Sequence, residues 1–590
     1  MASRAGQQQA SHWRLAAIAV VLGLCAAGLL ARIADLQIAN YSAYKGKAFA
    51  GHIETDTVPA HRGNILDANG FPLATSVDTY DIAIDRSIWT QSGVAAQDAA
   101  ALAPLLKRST DDLYALVGDG ATGTTTIARN VDYDTGRKII ALGLPGVVAS
   151  ESAVRTHPEG DLAADVLGFT GQDGTGLSGL EADWNAQLTG QPGRQQFERD
   201  AKGDLIPFGT DTDIAPQPGS DLVLTLDRNI QAMAEQELAD GLKKNGASGG
   251  TIIVMDPRTG AILAMASQPS FKFSTLNLAD PSQVALFRNR ALDDLYEPGS
   301  VFKLFTMSAA IDLGLVNPNT TYMDNCQEVV ANRIFHNWDY SCNGPTTMTQ
   351  VLVRSLNLGS LWLSTKVLGA DNFYKYVRAF GMGEETPAGL GGQAAGLVRA
   401  PDDPGWSLAD LASNSFGQGI SASALQMITA VAAVINGGRL MQPYLVKEVR
   451  TNGTVQETQP QVRRQVISPQ TSATLRDMMR QVLEANPLAV VPGYSAGGKS
   501  GTAYVPTLKP TNSSGDAYAD EITIPSYTGF APLDNPRVLI YVKLDDLSSD
   551  SLGGQIIAPM FSDLAGKVLR YLDVPPDRPL PSDGQSSGGH

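Results

Sequence analysis

Ser300 and Lys303 stand three residues apart in "EPGSVFKLFT" (297–306), where a proline-glycine break runs into an apolar stretch. The break puts Ser300 at or beside a helix N-terminus, where unpaired backbone amides and the helix dipole favour negative charge. Residues i and i+3 share a helix face, so Lys303 can reach the Ser300 hydroxyl. The pair sets a hydroxyl beside an amine at a helix start that would stabilise an oxyanion formed there. Taken alone, S-x-x-K reads more readily as an N-capping serine followed by a lysine that snorkels to solvent.

Two further groups change that reading. In "RSLNLGS", Ser355 and Asn357 lie on a loop or helix end and offer a hydroxyl and an amide to one cleft. In "GGKSGTAYV", strand alternation aims Lys499 and Gly501 to one face and Ser500 and Thr502 to the other, and Gly501 leaves room for a substrate backbone. Each is ordinary by itself. In the order S-x-x-K, S-x-N, K-S-G they form a joint signature of an active-site serine enzyme. A lysine base must be neutral, although a free lysine titrates near ~10.4. Burial among Phe302, Leu304 and Phe305, and the positive charge of Lys499, would lower that value.

The elements that must carry these groups form an α+β, multidomain chain. "GGTIIVMDPRTGAILAMAS" (249–267) reads as a hairpin of two apolar strands about the turn DPRTG. Helical segments follow to about residue 485, among them "SALQMITAVAAVIN", closed by Gly437 and Gly438. After the late K-S-G stretch come a strand, "PRVLIYVKL", and an amphipathic run from Ile556 to Leu572. Ahead of all this, residues 40–220 mix short strand patterns such as "TYDIAID" and "DLVLTLD" with turns, an irregular β-rich module.

At 590 residues the chain exceeds one core, and its net charge of -16 with no basic stripe excludes a nucleic-acid partner. Residues 15–31, "LAAIAVVLGLCAAGLLA", are uncharged and follow Arg4 and Arg14. They predict a membrane anchor over 15–37, with 1–14 in the cytoplasm and the bulk outside. A cleaved signal peptide is the alternative, but the apolar run is long and its cleavage signal poor. Six scattered histidines without HExxH or CxxC point to no metal, and no cofactor is expected. Cys326 and Cys342, in an oxidising compartment, either pair or stay as two buried thiols. A Pro-, Ser- and Gly-rich tail, 574–590, is expected to be disordered.

With these motifs on the page, the chain resembles the penicillin-binding proteins, the active-site serine enzymes that include D-alanyl-D-alanine transpeptidases and carboxypeptidases and the serine β-lactamases. "RGNILDANGFPLATS" (62–76), "RTHPEGDLAADVLGFTG" (155–171), "GLSGLEADWNAQLTGQPG" (176–193) and "LTLDRNIQ" (224–231) look like pedestal motifs of the monofunctional class B members. The family more often has tyrosine where His157 stands. "EPGSVFK", "SFGQGISASALQM" and "KSGTA" look like that class's transpeptidase blocks, and the division-type subgroup is the preferred neighbour.

The resemblance implies a pedestal, or dimerisation-type, domain over 40–220 and a transpeptidase domain over 221–573, with an antiparallel sheet flanked by helices. It implies that Ser300 attacks the D-Ala-D-Ala bond of a peptidoglycan stem peptide with Lys303 as base. Ser355 and Asn357 would relay a proton and hold the substrate amide. Lys499, Ser500 and Thr502 would receive the terminal carboxylate, and the amides of Ser300 and Thr502 would form the oxyanion hole. Stem peptides, β-lactams, a SEDS-family glycosyltransferase and other division or elongation proteins are the implied partners. An elongation-type transpeptidase and a non-catalytic division scaffold with a retained serine site are the alternative readings. A bifunctional enzyme lacks its acidic glycosyltransferase motif here, and an anchored chain with a pedestal is a poor design for a β-lactamase.

Overall fold

An uncharged tract of this length has no polar partner to seek, so it forms one long helix. In the computed structural model that helix runs from Arg4 to Ala34 and passes into a π turn, Asp35–Ala39. The stretch His12–Ala39 is apolar enough to cross a membrane and none of it is buried by protein. Its 28 residues span roughly 42 Å at about 1.5 Å each, more than a hydrocarbon core of about 30 Å. The structure describes residues 4–44, 53–117, 122–198, 212–505, 522–548 and 553–579.

The chain divides into two compact units, residues 1–60 with 191–217 and residues 61–190 with 218–590. This division cuts across the boundary expected at residue 220. The first unit holds the N-terminal helix and a three-stranded antiparallel sheet of Ile53–Val58, Gly193–Glu198 and Thr212–Ile214.

The second unit contains two large sheets. One has seven strands; Pro72–Asp85 pairs with both Thr124–Asp132 and Val147–Thr156, and the sheet continues through Ile65–Leu66 and Asp221–Leu224 to Val446–Thr451 and Thr454–Glu457. Alternation along Pro72–Asp85 buries Tyr80, Ile82 and Ile84 against Trp89, Leu102, Leu113 and Ile139, a satellite core of its own. Three of the quoted pedestal blocks meet at Glu181, which is fully buried. Its carboxylate accepts from Arg62 Nε at 2.6 Å and Arg155 Nε at 2.7 Å. His157 stacks on Phe273 with ring centroids 3.4 Å apart. Burial, followed by the charge of Arg155, lowers the His157 pKa to about 4, so the ring is neutral.

The other sheet carries the chemistry. Its strands are β1 (Gly249–Asp256), β2 (Ala261–Gln268), β3 (Gly497–Tyr504), β4 (Ile522–Ala531) and β5 (Val538–Asp545), in the order β2-β1-β5-β4-β3, with Leu547–Ser548 pairing to β4. All are antiparallel neighbours. Both faces are covered, so β1 and β5 read as continuous apolar runs rather than alternating ones. Ile253, Met255, Leu539 and Tyr541 pack toward the helices α1 (Lys303–Asp312) and α4 (Ala424–Ile435); between these in the chain lie α2 (Met348–Val353) and α3 (Asn357–Trp362). The alternate residues Ile252, Val254, Ile540 and Val542 pack toward Arg228–Asn245 and α5 (Gly553–Tyr571). Every residue of α4 is buried, and a Ser423–Gln426 capping box starts it.

One expectation is corrected here. Residues 574–579 are ordered against the body: Val574 is buried, Tyr494 Oη donates to its carbonyl at 2.8 Å, and Asp577 N donates to Gly493 O at 3.1 Å. An apolar residue three positions past the end of α5 packs into the core, which composition alone does not reveal. The remainder of the expected disordered tail, 580–590, lies outside the described residues.

Candidate active site

Glycine makes the turn that presents the nucleophile. Gly299 has φ of 57° and opens a short 3-10 turn, Gly299–Phe302, that continues into α1 at Lys303. The space around it is closed. A Cβ on Gly299 would lie 2.6 Å from the Thr502 carbonyl, one on Gly417 would lie 2.3 Å from the Gly299 carbonyl, and Gly299 N donates to Gly417 O at 3.1 Å. The "SFGQG" block thus braces the turn that bears Ser300. Gly501 serves the same packing: a Cβ there would meet Ser526 Oγ at 2.5 Å and both Pro298 O and Val301 at 3.0 Å. This corrects the reading that gave its missing side chain to substrate, because the chain's own turn fills that face.

Lys303 is the hub of the cleft. Its side chain is fully buried. Nζ lies 2.9 Å from Ser300 Oγ, 2.6 Å from Ser355 O, 3.3 Å from Ser355 Oγ and 2.9 Å from Asn357 Oδ1. Ser355 joins α2 to α3 with φ of 55°, which turns both its carbonyl and its hydroxyl toward the lysine. Asn357 uses both ends of its amide, since Nδ2 donates to His336 O at 3.1 Å. Across the cleft Lys499 Nζ donates to Ser355 Oγ at 3.0 Å and to Ser500 O at 2.8 Å.

Among the described residues neither lysine has a carboxylate within salt-bridge distance. Burial, with the charge of Lys499 second, holds Lys303 far below the ordinary lysine value. Burial lowers Lys499 to about 7. A base and an adjacent titratable cation are therefore both available near neutral pH.

The structure brings all eight residues of the three motifs to this place. Ser300, Ser355, Asn357, Lys499, Ser500, Gly501 and Thr502 line one cavity of about 430 Å³, and Lys303 lies beneath Ser300. Sequence reasoning passed over Trp338, Asp339, Arg354, Gln418, Asn486 and Tyr504, which also line it. Trp338 and Asp339 arrive from the segment between Cys326 and Cys342, which are joined by a disulfide. They lie between the two cysteines in the sequence, but nothing in their spacing marks them.

The description "Penicillin binding protein transpeptidase domain" matches residues 250–566, and "Penicillin-binding Protein dimerisation domain" matches residues 57–224. Stage V sporulation protein D of Bacillus subtilis (strain 168) is 33% identical over 525 residues, 87% of this chain and 79% of its own. Peptidoglycan D,D-transpeptidase FtsI of Escherichia coli (strain K12) is 30% identical over 599 residues, 98% of this chain and 96% of its own. Among solved structures, a peptidoglycan synthetase from Bifidobacterium adolescentis ATCC 15703 is 27% identical with a TM-score of 0.71, covering 90% of this chain and 98% of that one. Penicillin binding protein 3 from Mycobacterium tuberculosis, complexed with aztreonam, is 29% identical with a TM-score of 0.66, covering 89% and 99%. The chain belongs to the penicillin-binding proteins, with the paired dimerisation and transpeptidase domains of the class B members.

Proposed function

We propose that this protein is a membrane-anchored peptidoglycan D,D-transpeptidase that crosslinks stem peptides through an acyl-enzyme on Ser300. The observation that carries the reading is the hydrogen-bond set of Lys303. A neutral amine has two N–H groups and one lone pair. Ser355 O and Asn357 Oδ1, at 2.6 and 2.9 Å, are fixed acceptors for the two N–H groups. The lone pair is left for the Ser300 hydroxyl at 2.9 Å, the geometry of a general base.

The steps follow from that arrangement. Ser300 Oγ bonds to the carbonyl carbon between the two D-alanines while its proton passes to Lys303. The C–N bond then breaks, and the proton reaches the departing amine through Ser355 Oγ, which lies between the two lysine nitrogens. Lys499 with the Ser500 and Thr502 hydroxyls receives the terminal carboxylate, and the Ser300 and Thr502 amides hold the oxyanion. An amine on a second stem attacks the ester, forms the new amide and returns the proton to Ser300. Asn357 acts here as a positioning residue, because its amide is committed to Lys303 and His336 O.

Intact mass after benzylpenicillin treatment tests the reading. One adduct that maps to Ser300 and disappears in Ser300→Ala is expected; a stable adduct in Ser300→Ala at the wild-type rate overturns it. The same proposal places a pedestal domain over 40–220, a transpeptidase domain over 221–573 and a single-pass anchor with its N-terminus in the cytoplasm. Alkaline phosphatase fused after residue 60 is then active, and an inactive fusion refutes the orientation. A septal role beside a SEDS-family glycosyltransferase is carried by the division-type resemblance. Midcell enrichment of a fluorescent fusion supports it, and lateral-wall enrichment replaces it with elongation.

A further inference from the structure

The acyl transfer proposed above leaves part of the cleft unused. The charged side chains among the described lining residues are Asp339, Arg354 and Lys499. Lys499 is taken by Ser355 and Ser500. Asp339 and Arg354 remain, brought to one rim by Trp338, whose indole Nε1 donates to the Arg354 carbonyl at 3.1 Å. That bond clips the 338–339 loop to the residue directly before Ser355.

The rim is charged and accessible. Arg354 is exposed, and its guanidinium makes no hydrogen bond or ion pair to the described residues. Asp339 accepts from the Ser341 hydroxyl at 2.7 Å and the Ser341 amide at 3.1 Å, which fixes its carboxylate. Burial opposes ionisation of Asp339, but the Ser341 bonds and the nearby charge of Arg354 outweigh it and hold the group below the ordinary carboxylate value. The Trp338 ring is half exposed and faces the same cavity. An anion, a cation and an aromatic face together complement an alkyl chain that ends in both an ammonium and a carboxylate.

A stem-peptide donor carries such a group at one place. With its terminal carboxylate on the strand Lys499–Thr502, the third stem residue lies two extended residues back, about 7 Å, within the cleft that Trp338, Asp339 and Arg354 also line. We propose that Trp338, Asp339 and Arg354 form a donor subsite for the side chain of that residue. The subsite selects a diamino dicarboxylic residue, which ends in both charges, over lysine, which ends in ammonium alone. Arg354 takes the carboxylate, Asp339 the ammonium, and Trp338 packs along the methylenes. This rests on the transpeptidase reading.

The test uses the full chain in detergent with synthetic pentapeptide donors that differ only at the third residue: meso-diaminopimelate, its side-chain carboxamide, or L-lysine. Turnover is read as D-alanine release, or as protection of Ser300 from benzylpenicillin, and each value is divided by that variant's own penicillin acylation rate. The wild type is expected to prefer the diacid over both others by about tenfold, the discrimination of one charge-assisted hydrogen bond, and through KM rather than kcat. Arg354→Ala is expected to bring that ratio to about one, with Arg354→Lys restoring part of it. Asp339→Asn is expected to weaken the diacid and lysine donors alike. A penicillin adduct on Ser300 with a flat wild-type ratio, or a ratio that survives Arg354→Ala, overturns the subsite alone. Absence of any adduct on Ser300 overturns the transpeptidase reading and the subsite with it.

Discussion

Arg62 and Arg155 are buried beside Glu181, which accepts from both, whereas Lys303 and Lys499 are buried together and, among the described residues, bond only to neutral groups. Removing a cation from water costs several kcal/mol in either place. In the pedestal region Glu181 offsets that cost and ties three distant blocks together. In the cleft no carboxylate among the described residues offsets it, so the lysines lower their own charge instead. Burial with a counter-ion builds structure, and burial without one builds a base.

The largest effect that separates the two regions is expected at Lys303. Lys303→Ala is expected to slow penicillin acylation by about a thousandfold while urea unfolding remains cooperative. Acylation of the wild type is expected to fall as pH drops, because acid protonates a base whose value lies well below that of free lysine. A Lys303→Ala variant that reacts at the normal rate would break the contrast at its centre. Glu181→Gln should do the opposite, costing about 4 kcal/mol of stability in denaturant titration by leaving two buried guanidiniums short of charge. A loss under about 1 kcal/mol would show that Glu181 is not the offsetting group.

Smaller effects refine the comparison. Reduction of the Cys326–Cys342 bridge, or the double serine variant, is expected to cost about 3 kcal/mol by chain entropy; unchanged unfolding in reductant would contradict it. Asp165 offers the reverse case, a carboxylate buried near Glu235. Burial, then the charge of Glu235, raises it to about 7. The folded state then holds a proton that the unfolded state has released, so stability falls as pH rises from about 4 to about 7. Asp165→Asn is expected to remove on the order of 4 kcal/mol of that pH dependence; a profile parallel to wild type would exclude the assignment.

Local signals made much of this legible. The hairpin about "DPRTG", the buried helix closed by Gly437 and Gly438, and the strand "PRVLIYVKL" appear at 249–268, 424–435 and 538–545 because each is set by period and punctuation within one segment. The i, i+3 placement of Ser300 and Lys303 survives although the turn is 3-10 before it is α, since both geometries bring those residues onto one side. What stayed hidden depends on contacts between distant segments. Gly501 was given to substrate because a strand pattern cannot say which chain lies across it. Arg62, Arg155 and Glu181 stood in three quoted blocks, yet only the fold shows that they meet. Trp338 and Asp339 enter the cleft because a disulfide and an indole bond fold their loop inward, and neither leaves a trace in spacing.

Gly299, Gly417 and Gly501 have a consequence for how resistance to a β-lactam can arise. Each faces main-chain or side-chain atoms at less than the contact distance of a methyl group, so adding even one carbon there displaces the nucleophile itself. At these three positions a change that slows the drug also disturbs the packing around the turn that bears Ser300, whereas Trp338 and Arg354 meet solvent and can change without moving it.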